Sequence, residues 1–140
     1  MPITVTAPRG ILTTRGEREI LPALTAALAD VSGGAGNDFF TGIIGGSVHL
    51  LPPQDIYAGG ENRPIVMVEL KLPNIGLPDP AARAAFITAA TDIVAGLTTE
   101  GHRREDIWVN ILNALDGAWG IGGRAYTSEA LIAAVTAAAH

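Results

Sequence analysis

Apolar and polar residues alternate from the start of the chain: Ile3 and Val5 are interleaved with Thr4 and Thr6, so Pro2-Ile3-Thr4-Val5-Thr6 predicts a strand. The pattern then changes period. Ile20/Leu21, Leu24, Ala27/Leu28 and Val31 recur at the three-and-four spacing of an amphipathic helix. Thr14 and Glu17 stand at the spacing of a capping box, and Gly33-Gly34 ends the helix. Pro22 sits inside this pattern, where it predicts either a kink or a helix start moved toward Leu21. A second strand follows at Ser47-Val48-His49-Leu50-Leu51, then a glycine-ended tail, Asp55-Ile56-Tyr57-Ala58-Gly59-Gly60.

The same order returns after about 60 residues, a period that marks internal duplication. Pro64-Ile65-Val66-Met67-Val68-Glu69-Leu70 repeats the first strand. Asp79 as N-cap and Pro80 at the first helical position announce the second helix, with Phe86/Ile87, Ala90, Ile93/Val94 and Leu97 as its apolar face. Ile107-Trp108-Val109-Asn110-Ile111 and a tail from Asp116 through Trp119 to Gly122-Gly123 complete the second half. A β-α-β unit repeated twice predicts an α/β fold. Strands within each unit lie parallel with right-handed crossovers, and both units form one four-stranded sheet with both helices on one face. The Ala-rich segment 128–140, capped by Ser128, predicts a C-terminal helix. The expectation is one domain over 1–140, with halves at about 2–62 and 63–125. One sheet face then lacks helical cover, and such faces are usually completed by neighbouring subunits, which predicts an oligomer.

Composition narrows the function classes. The chain has 140 residues, 48% hydrophobic and 16% charged, which is the balance of a globular protein long enough to bury a core. A net charge of −5 and the lack of a basic stripe argue against nucleic acid as a partner. The nearest approach, His102-Arg103-Arg104, is followed at once by Glu105 and Asp106 and reads as a solvated turn. There is no cysteine, so disulfides and thiolate chemistry are excluded. His49, His102 and His140 lack metal-ligand spacing, and no metal or cofactor is expected. No apolar run is long enough to span a membrane and no signal pattern opens the chain, so the expected address is the cytoplasm, with no membrane partner.

The residue with the most distinctive chemistry is Pro2. Methionine before a small residue is routinely removed, and its removal here leaves a free secondary amine. A free α-amino group titrates at roughly 7.7–8.0, the secondary amine of proline somewhat higher, and an apolar pocket beside a cation lowers it toward neutrality. A neutral prolyl nitrogen can take a proton alpha to a carbonyl and return it elsewhere. The plainer alternative is a proline tolerated at the first residue of a strand. Arg9 and Lys71 are candidates to hold a substrate carboxylate, or are ordinary surface charges. Trp108 and Asn110 lie two apart on one strand and face the same side. There Asn110 can donate to an enolate oxygen and Trp108 can wall a pocket or simply fill the core. Phe39 and Phe40 either line the pocket mouth or plug a subunit contact, and His49 reads as structural. Gly120, Gly122 and Gly123 do not open a helix with the lysine that a phosphate loop requires.

The duplication opening on Met-Pro resembles long-chain members of the tautomerase superfamily. Ala7-Pro8-Arg9, with a helix ending at Val31-Ser32-Gly33, is similar to the branch of macrophage migration inhibitory factor, as is Asp106-Ile107-Trp108-Val109-Asn110. The run Asp116 through Trp119 and Gly120 to Gly123-Arg124 resembles the malonate semialdehyde decarboxylase branch. The resemblance implies a homotrimer with sites near each N-terminal proline at subunit boundaries, and, from the decarboxylase branch, an aspartate assisting catalysis at Asp38, whose plainer reading is a turn or capping carboxylate. It also has departures. The cytokine's cysteine motif is absent. Its pocket lysine after the first helix has no counterpart in Gly33-Gly34-Ala35-Gly36. The decarboxylase's arginine pair is matched only by Lys71, and the acidic residue of the dehalogenase and hydratase branch falls near Ile121. The resulting expectation is a cofactor-independent tautomerase of a small 2-oxo acid, with Pro2, Asp38 and Asn110 catalytic and Arg9, Lys71, Phe39 and Trp108 binding substrate. The alternatives are a decarboxylase or hydratase of a 3-oxo or acetylenic acid in the same pocket, and a catalytically silent trimeric interaction module.

Overall fold

The computed structural model describes residues 1–139. The first half contains strand β1 (Ile3–Pro8), helix α1 (Thr14–Ser32), the short helix α2 (Asp38–Gly42) and strand β2 (Gly46–Leu51). The second half contains β5 (Val66–Leu72), α3 (Pro80–Leu97) and β6 (Ile107–Asn113). Each half ends in a small hairpin, β3 (Tyr57–Ala58) with β4 (Glu61–Asn62), and β7 (Trp119–Ile121) with β8 (Arg124–Tyr126). Helix α4 (Ser128–Ala138) closes the described chain.

The main sheet has the order β2-β1-β5-β6. β1 pairs with β2 in parallel and β5 with β6 in parallel, while the two central strands meet antiparallel, Ile3 opposite Leu70 and Val5 opposite Val68. The duplicated β-α-β units are therefore joined back to back. Strand alternation sends Ile3, Val5, Val66, Val68 and Leu70 to one face, where all are buried against Ile20, Leu24 and Leu28 of α1 and Phe86, Ala90 and Val94 of α3. Each such side chain contributes roughly 1.5–3 kcal/mol by leaving water. The opposite face carries no helix and leaves Trp108 and Leu112 exposed.

Three local expectations need correction. Helix α1 is capped by Thr13, not Thr14: the Thr13 hydroxyl accepts from Gly16 N at 2.9 Å, and its carbonyl accepts from Glu17 N at 2.9 Å. Two adjacent threonines satisfy the same sequence pattern. Thr13 wins because its own N–H also reaches Leu97 O at 3.0 Å, tying the start of α1 to the end of α3. That contact is close: a Cβ at Gly16 would lie 2.5 Å from the Leu97 carbonyl oxygen. Pro22 stays inside α1 without shortening it, because it sits on the exposed side, where water can serve the carbonyl it leaves unpaired. Helix α4 is capped by Thr127, whose hydroxyl accepts from Ala130 N at 3.1 Å. Ser128 instead bonds Asp116 Oδ1 through both its N–H and its hydroxyl. The helix ends at Ala138, and His140, the last residue of the expected span, lies outside the described residues. Asp79 and Pro80 occupy the cap and first position of α3 as the sequence predicts.

The glycine tails are hairpin turns. Gly59 and Gly60, like Gly122 and Gly123, have φ between 62° and 84°, the two-residue turn with both central residues left-handed.

Asp106 also departs from its expected place in a solvated turn. It is 4% exposed and pairs with the Arg63 guanidinium, which fastens the chain entering β5 to the start of β6. The hydrogen bond from Arg63 holds the Asp106 carboxyl below its usual range. A depressed carboxylate contributes stability that is present above the unfolded value and lost as pH falls through the folded one. Asp106→Asn should therefore lower stability at neutral pH by about 1–3 kcal/mol and shrink the acid-side loss, as followed by denaturant midpoints between pH 7 and 3.

Candidate active site

The start of β1 is clamped from both sides. Ile3 N donates to Gly45 O at 2.8 Å, and Lys71 N donates to Pro2 O at 3.0 Å, so residue 2 is fixed between the loop before β2 and the end of β5. Alternation then turns Met1 toward the helices. Its side chain is buried, and its amine donates to Ile43 O at 2.6 Å. Burial lowers that amine from 8.0 to about 6.

Met1 forms part of the wall of a cavity of about 300 Å³ between the sheet end, α1 and α4. Phe40, Leu72, Leu77, Leu131 and Val135 are among its apolar wall residues, Ser32 and Thr136 bring hydroxyls, and none of the lining side chains is charged. A second hollow, also about 300 Å³, opens on the other side of β5 and is lined by Pro2, Lys71, Leu112, Asn113 and Trp119. Leu72 borders both. The residue 2 nitrogen, bonded to the Met1 carbonyl carbon, thus stands at the boundary of an apolar chamber and a cation-bearing one.

The loop after β5 is held firmly. Leu77 has φ 47°, a conformation that costs a branched side chain about 1–3 kcal/mol, and Pro78 behind it restricts the backbone further. Arg83 donates to the carbonyls of Leu77 and Pro78, both at 2.9 Å. Asn113 Nδ2 donates to Pro73 O at 3.0 Å and Gly76 O at 2.8 Å. These bonds hold the strained backbone and turn the Leu77 side chain, 5% exposed, into the cavity wall. Opposite it, α4 is tied down by Asn37 Nδ2 to Val135 O at 3.0 Å and by the Asp116–Ser128 bonds.

Of the residues singled out from sequence, the structure brings Lys71 to Pro2 within one chain. Arg9 lies beyond the far end of β1, about 23 Å from Pro2 at the rise of an extended strand. Asp38 is exposed at the start of α2, and neither it nor Phe39 lines the cavity; Phe40, one residue on, does. Trp108 and Asn110 share the helix-free face of the edge strand β6, opposite Met67 and Glu69, and line neither hollow. His49 on the same face is paired with Ser47 at 2.8 Å. The cavity residues that sequence reasoning passed over are Leu77, Leu131 and Val135. The last two were visible as an i, i+4 apolar pair, but nothing local says where that helix docks. Among the described residues, no group of three or more His, Asp or Glu could hold a metal ion, and no helix is long and apolar enough to cross a membrane.

Neither a protein-family model nor a curated protein sequence matches this chain. Solved structures do. A fused 4-OT, described as a wild type symmetric trimer, is 20% identical with a TM-score of 0.75, over 94% of this chain and 98% of its own. Macrophage migration inhibitory factor from Oncomelania hupensis is 16% identical with a TM-score of 0.68, over 90% and 97%. FG41 malonate semialdehyde decarboxylase inhibited by 3-bromopropiolate is 18% identical with a TM-score of 0.66, over 87% and 89%. At these identities the likeness establishes the fold, which is that of the tautomerase superfamily.

Proposed function

We propose that this chain is a member of the tautomerase superfamily and a cofactor-independent keto–enol tautomerase of a small 2-oxo acid, working in the cytoplasm as a homotrimer with Met1 removed and Pro2 as general base and acid. The observation that carries this reading is the seat of Met1. Loss of that residue leaves the Pro2 nitrogen as a free amine beside an apolar cavity, with Lys71 on its other side. A cation beside the freed amine, here Lys71, favours its neutral form, and a neutral secondary amine is what proton abstraction alpha to a carbonyl needs.

Lys71 is the cation within reach to anchor the carboxylate. Arg9 is too distant to serve its own chain's proline and would act from a neighbouring subunit. Asn110 and Trp108 stand on the bare sheet face, where a neighbour would cover them, and would likewise steady the enolate and wall the site from across that boundary. Phe39, next to Phe40 in the chain but outside the cavity lining, would meet substrate only at the pocket mouth. Trimeric assembly is supported by the fold's trimeric relative and by the exposed apolar face. The decarboxylase or hydratase reading gives Asp38 the task of assisting Pro2, and the exposed position of Asp38 outside the cavity does not favour it.

The test follows ketonisation of phenylenolpyruvate and decay of malonate semialdehyde by proton NMR, with Met1-processed protein and with Pro2→Ala. Fast ketonisation that the substitution slows by one to two orders of magnitude supports the tautomerase, since proton transfer by a positioned group is worth about 10²–10⁴-fold and the alanine amine retains part of it. Dependence of only the second reaction on Pro2 would make the chain a decarboxylase. Indifference of both would leave the silent interaction module. The kcat/KM should rise with pH as the free enzyme's amine deprotonates, with a midpoint below the roughly 7.7–8.0 of an ordinary α-amino group.

A further inference from the structure

The chain leaves β5 through a tight turn. Gly76 N donates to Pro73 O at 3.0 Å, and the turn folds so closely on Leu72 that a Cβ at Gly76 would lie 2.6 Å from the Leu72 Cβ. Asn113, the last residue of β6, is paired with Leu72 and grips this turn from the side, its Nδ2 donating to both Pro73 O and Gly76 O. With both amide hydrogens committed, the orientation of the amide is fixed, because the flipped form would set its oxygen against two carbonyl oxygens.

Asn113 also lines the hollow that holds Pro2 and Lys71. Among the described residues it is the one uncharged polar side chain of that lining, and Lys71 is the one charged side chain. Among the same residues Lys71 makes no ion pair. The acids on the elements around it, Glu69 in β5 and Asp116 between β6 and β7, do not line the hollow, and Asp116 is held by Ser128. An aspartate at position 113 would fit the same space. It could not donate to Pro73 and Gly76, and Lys71 would feel its charge across a hollow of about 300 Å³.

We infer that Asn113 is the positioning residue of this hollow: it pins the turn after β5 without adding a charge, which leaves Lys71 free for a substrate carboxylate. This role rests on those proposed for Pro2 and Lys71, and it divides in two. The donors of Asn113 govern stability, and its neutrality governs affinity for anions.

Met1-processed protein, Asn113→Ala and Asn113→Asp are compared for melting midpoint, for NMR-titrated binding of phenylpyruvate and of its methyl ester, and for the pH profile of phenylenolpyruvate ketonisation. Both variants lose the two bonds to the turn and should melt below the unsubstituted protein. Asn113→Asp alone should bind phenylpyruvate at least about tenfold more weakly than Asn113→Ala, because a carboxylate near Lys71 cancels its attraction for a second one. The ester, which has no carboxylate, should not separate the two variants. An anion beside the prolyl amine favours its ammonium form, so the kcat/KM midpoint should rise in Asn113→Asp and stay in place in Asn113→Ala. Ala118→Asp, at an exposed residue of the same hollow, brings the charge with the turn intact. It should keep the unsubstituted protein's melting midpoint and bind phenylpyruvate less tightly, even where Asn113→Asp fails to fold. Equal phenylpyruvate affinity in Asn113→Ala and Asn113→Asp, an unmoved pH midpoint in Asn113→Asp, full affinity in Ala118→Asp, or undiminished stability in Asn113→Ala would each overturn the assignment. Turnover indifferent to Pro2→Ala would instead sink the catalytic reading and leave the binding comparison standing.

Discussion

Protein that keeps Met1 should ketonise an enol substrate about 10²–10⁴-fold more slowly than processed protein, the range that a positioned proton-transfer group supplies. Two physical effects act together. In the retained form the residue 2 nitrogen is an amide, whose lone pair is delocalised into the carbonyl, so it cannot take a proton at neutral pH. The Met1 side chain, which forms part of the chamber wall, also stands between that nitrogen and the chamber. The same burial makes the inactive form the more stable one, by about 1.5–3 kcal/mol for a methionine withdrawn from water. Activity and stability should thus move in opposite directions, which separates a blocked amine from a misfolded protein. The retained form's own stability has a pH dependence of known sign. The Met1 amine has its pKa depressed from 8.0 to about 6, so the unfolded chain binds the proton more readily. That contribution is fullest above 8 and shrinks as pH falls toward 6. Mass spectrometry identifies the two forms, and melting curves with matched NMR rates test the pairing. A retained form that is both active and less stable would contradict it.

Much of this arrangement was legible in the chain because it is encoded locally. Alternation at Ile3-Thr4-Val5 and again at Val66-Met67-Val68 fixes strands with a single buried face, and Asp79-Pro80 fixes a helix start within one residue. What local pattern does not encode is decided by long-range fit. Thr13 and Thr14 are equivalent caps until the Leu97 carbonyl chooses between them. Asp106 looks like part of a charged turn until Arg63, 43 residues away, meets it. Pro2 and Lys71 become neighbours through the antiparallel register of β1 and β5, which no periodicity within either strand specifies. Phe40 rather than Phe39 lines the cavity because α2, one turn of helix capped by Asn37, sets which ring turns inward. The left-handed Leu77 has no sequence signal, since glycine would be the expected residue there. That a leucine is held in this conformation at the wall of the candidate site is consistent with strain gathering where function needs a particular surface.

The face of α3 offers the sharpest measurement of how that fit was resolved. Its apolar pattern leaves Phe86/Ile87 and Ile93/Val94 as undecided pairs, since either member can follow the three-and-four spacing. The folded chain buries Phe86, Ala90, Val94 and Leu97 and leaves Ile87 40% exposed. Phe86 is the largest of the fully buried side chains, at 0% exposure, and its removal opens a hole that a sheet on one side and α1 on the other cannot collapse to fill. Phe86→Ala should therefore cost about 3–5 kcal/mol, a large share of the roughly 5–15 kcal/mol that holds a domain folded. At this size the melting midpoint should fall by about 10–20 °C. Ile87→Ala, one residue along, should cost well under half as much, because the removed methyl groups already meet water. Since neither residue lines the cavity, the folded fraction of each variant should keep the parent's kcat. Equal losses at the two positions would mean that Ile87 is buried by a neighbouring subunit or that α3 is rotated from the face described. Concentration dependence of the Ile87→Ala melting midpoint distinguishes those outcomes, because only burial between subunits makes stability depend on protomer concentration.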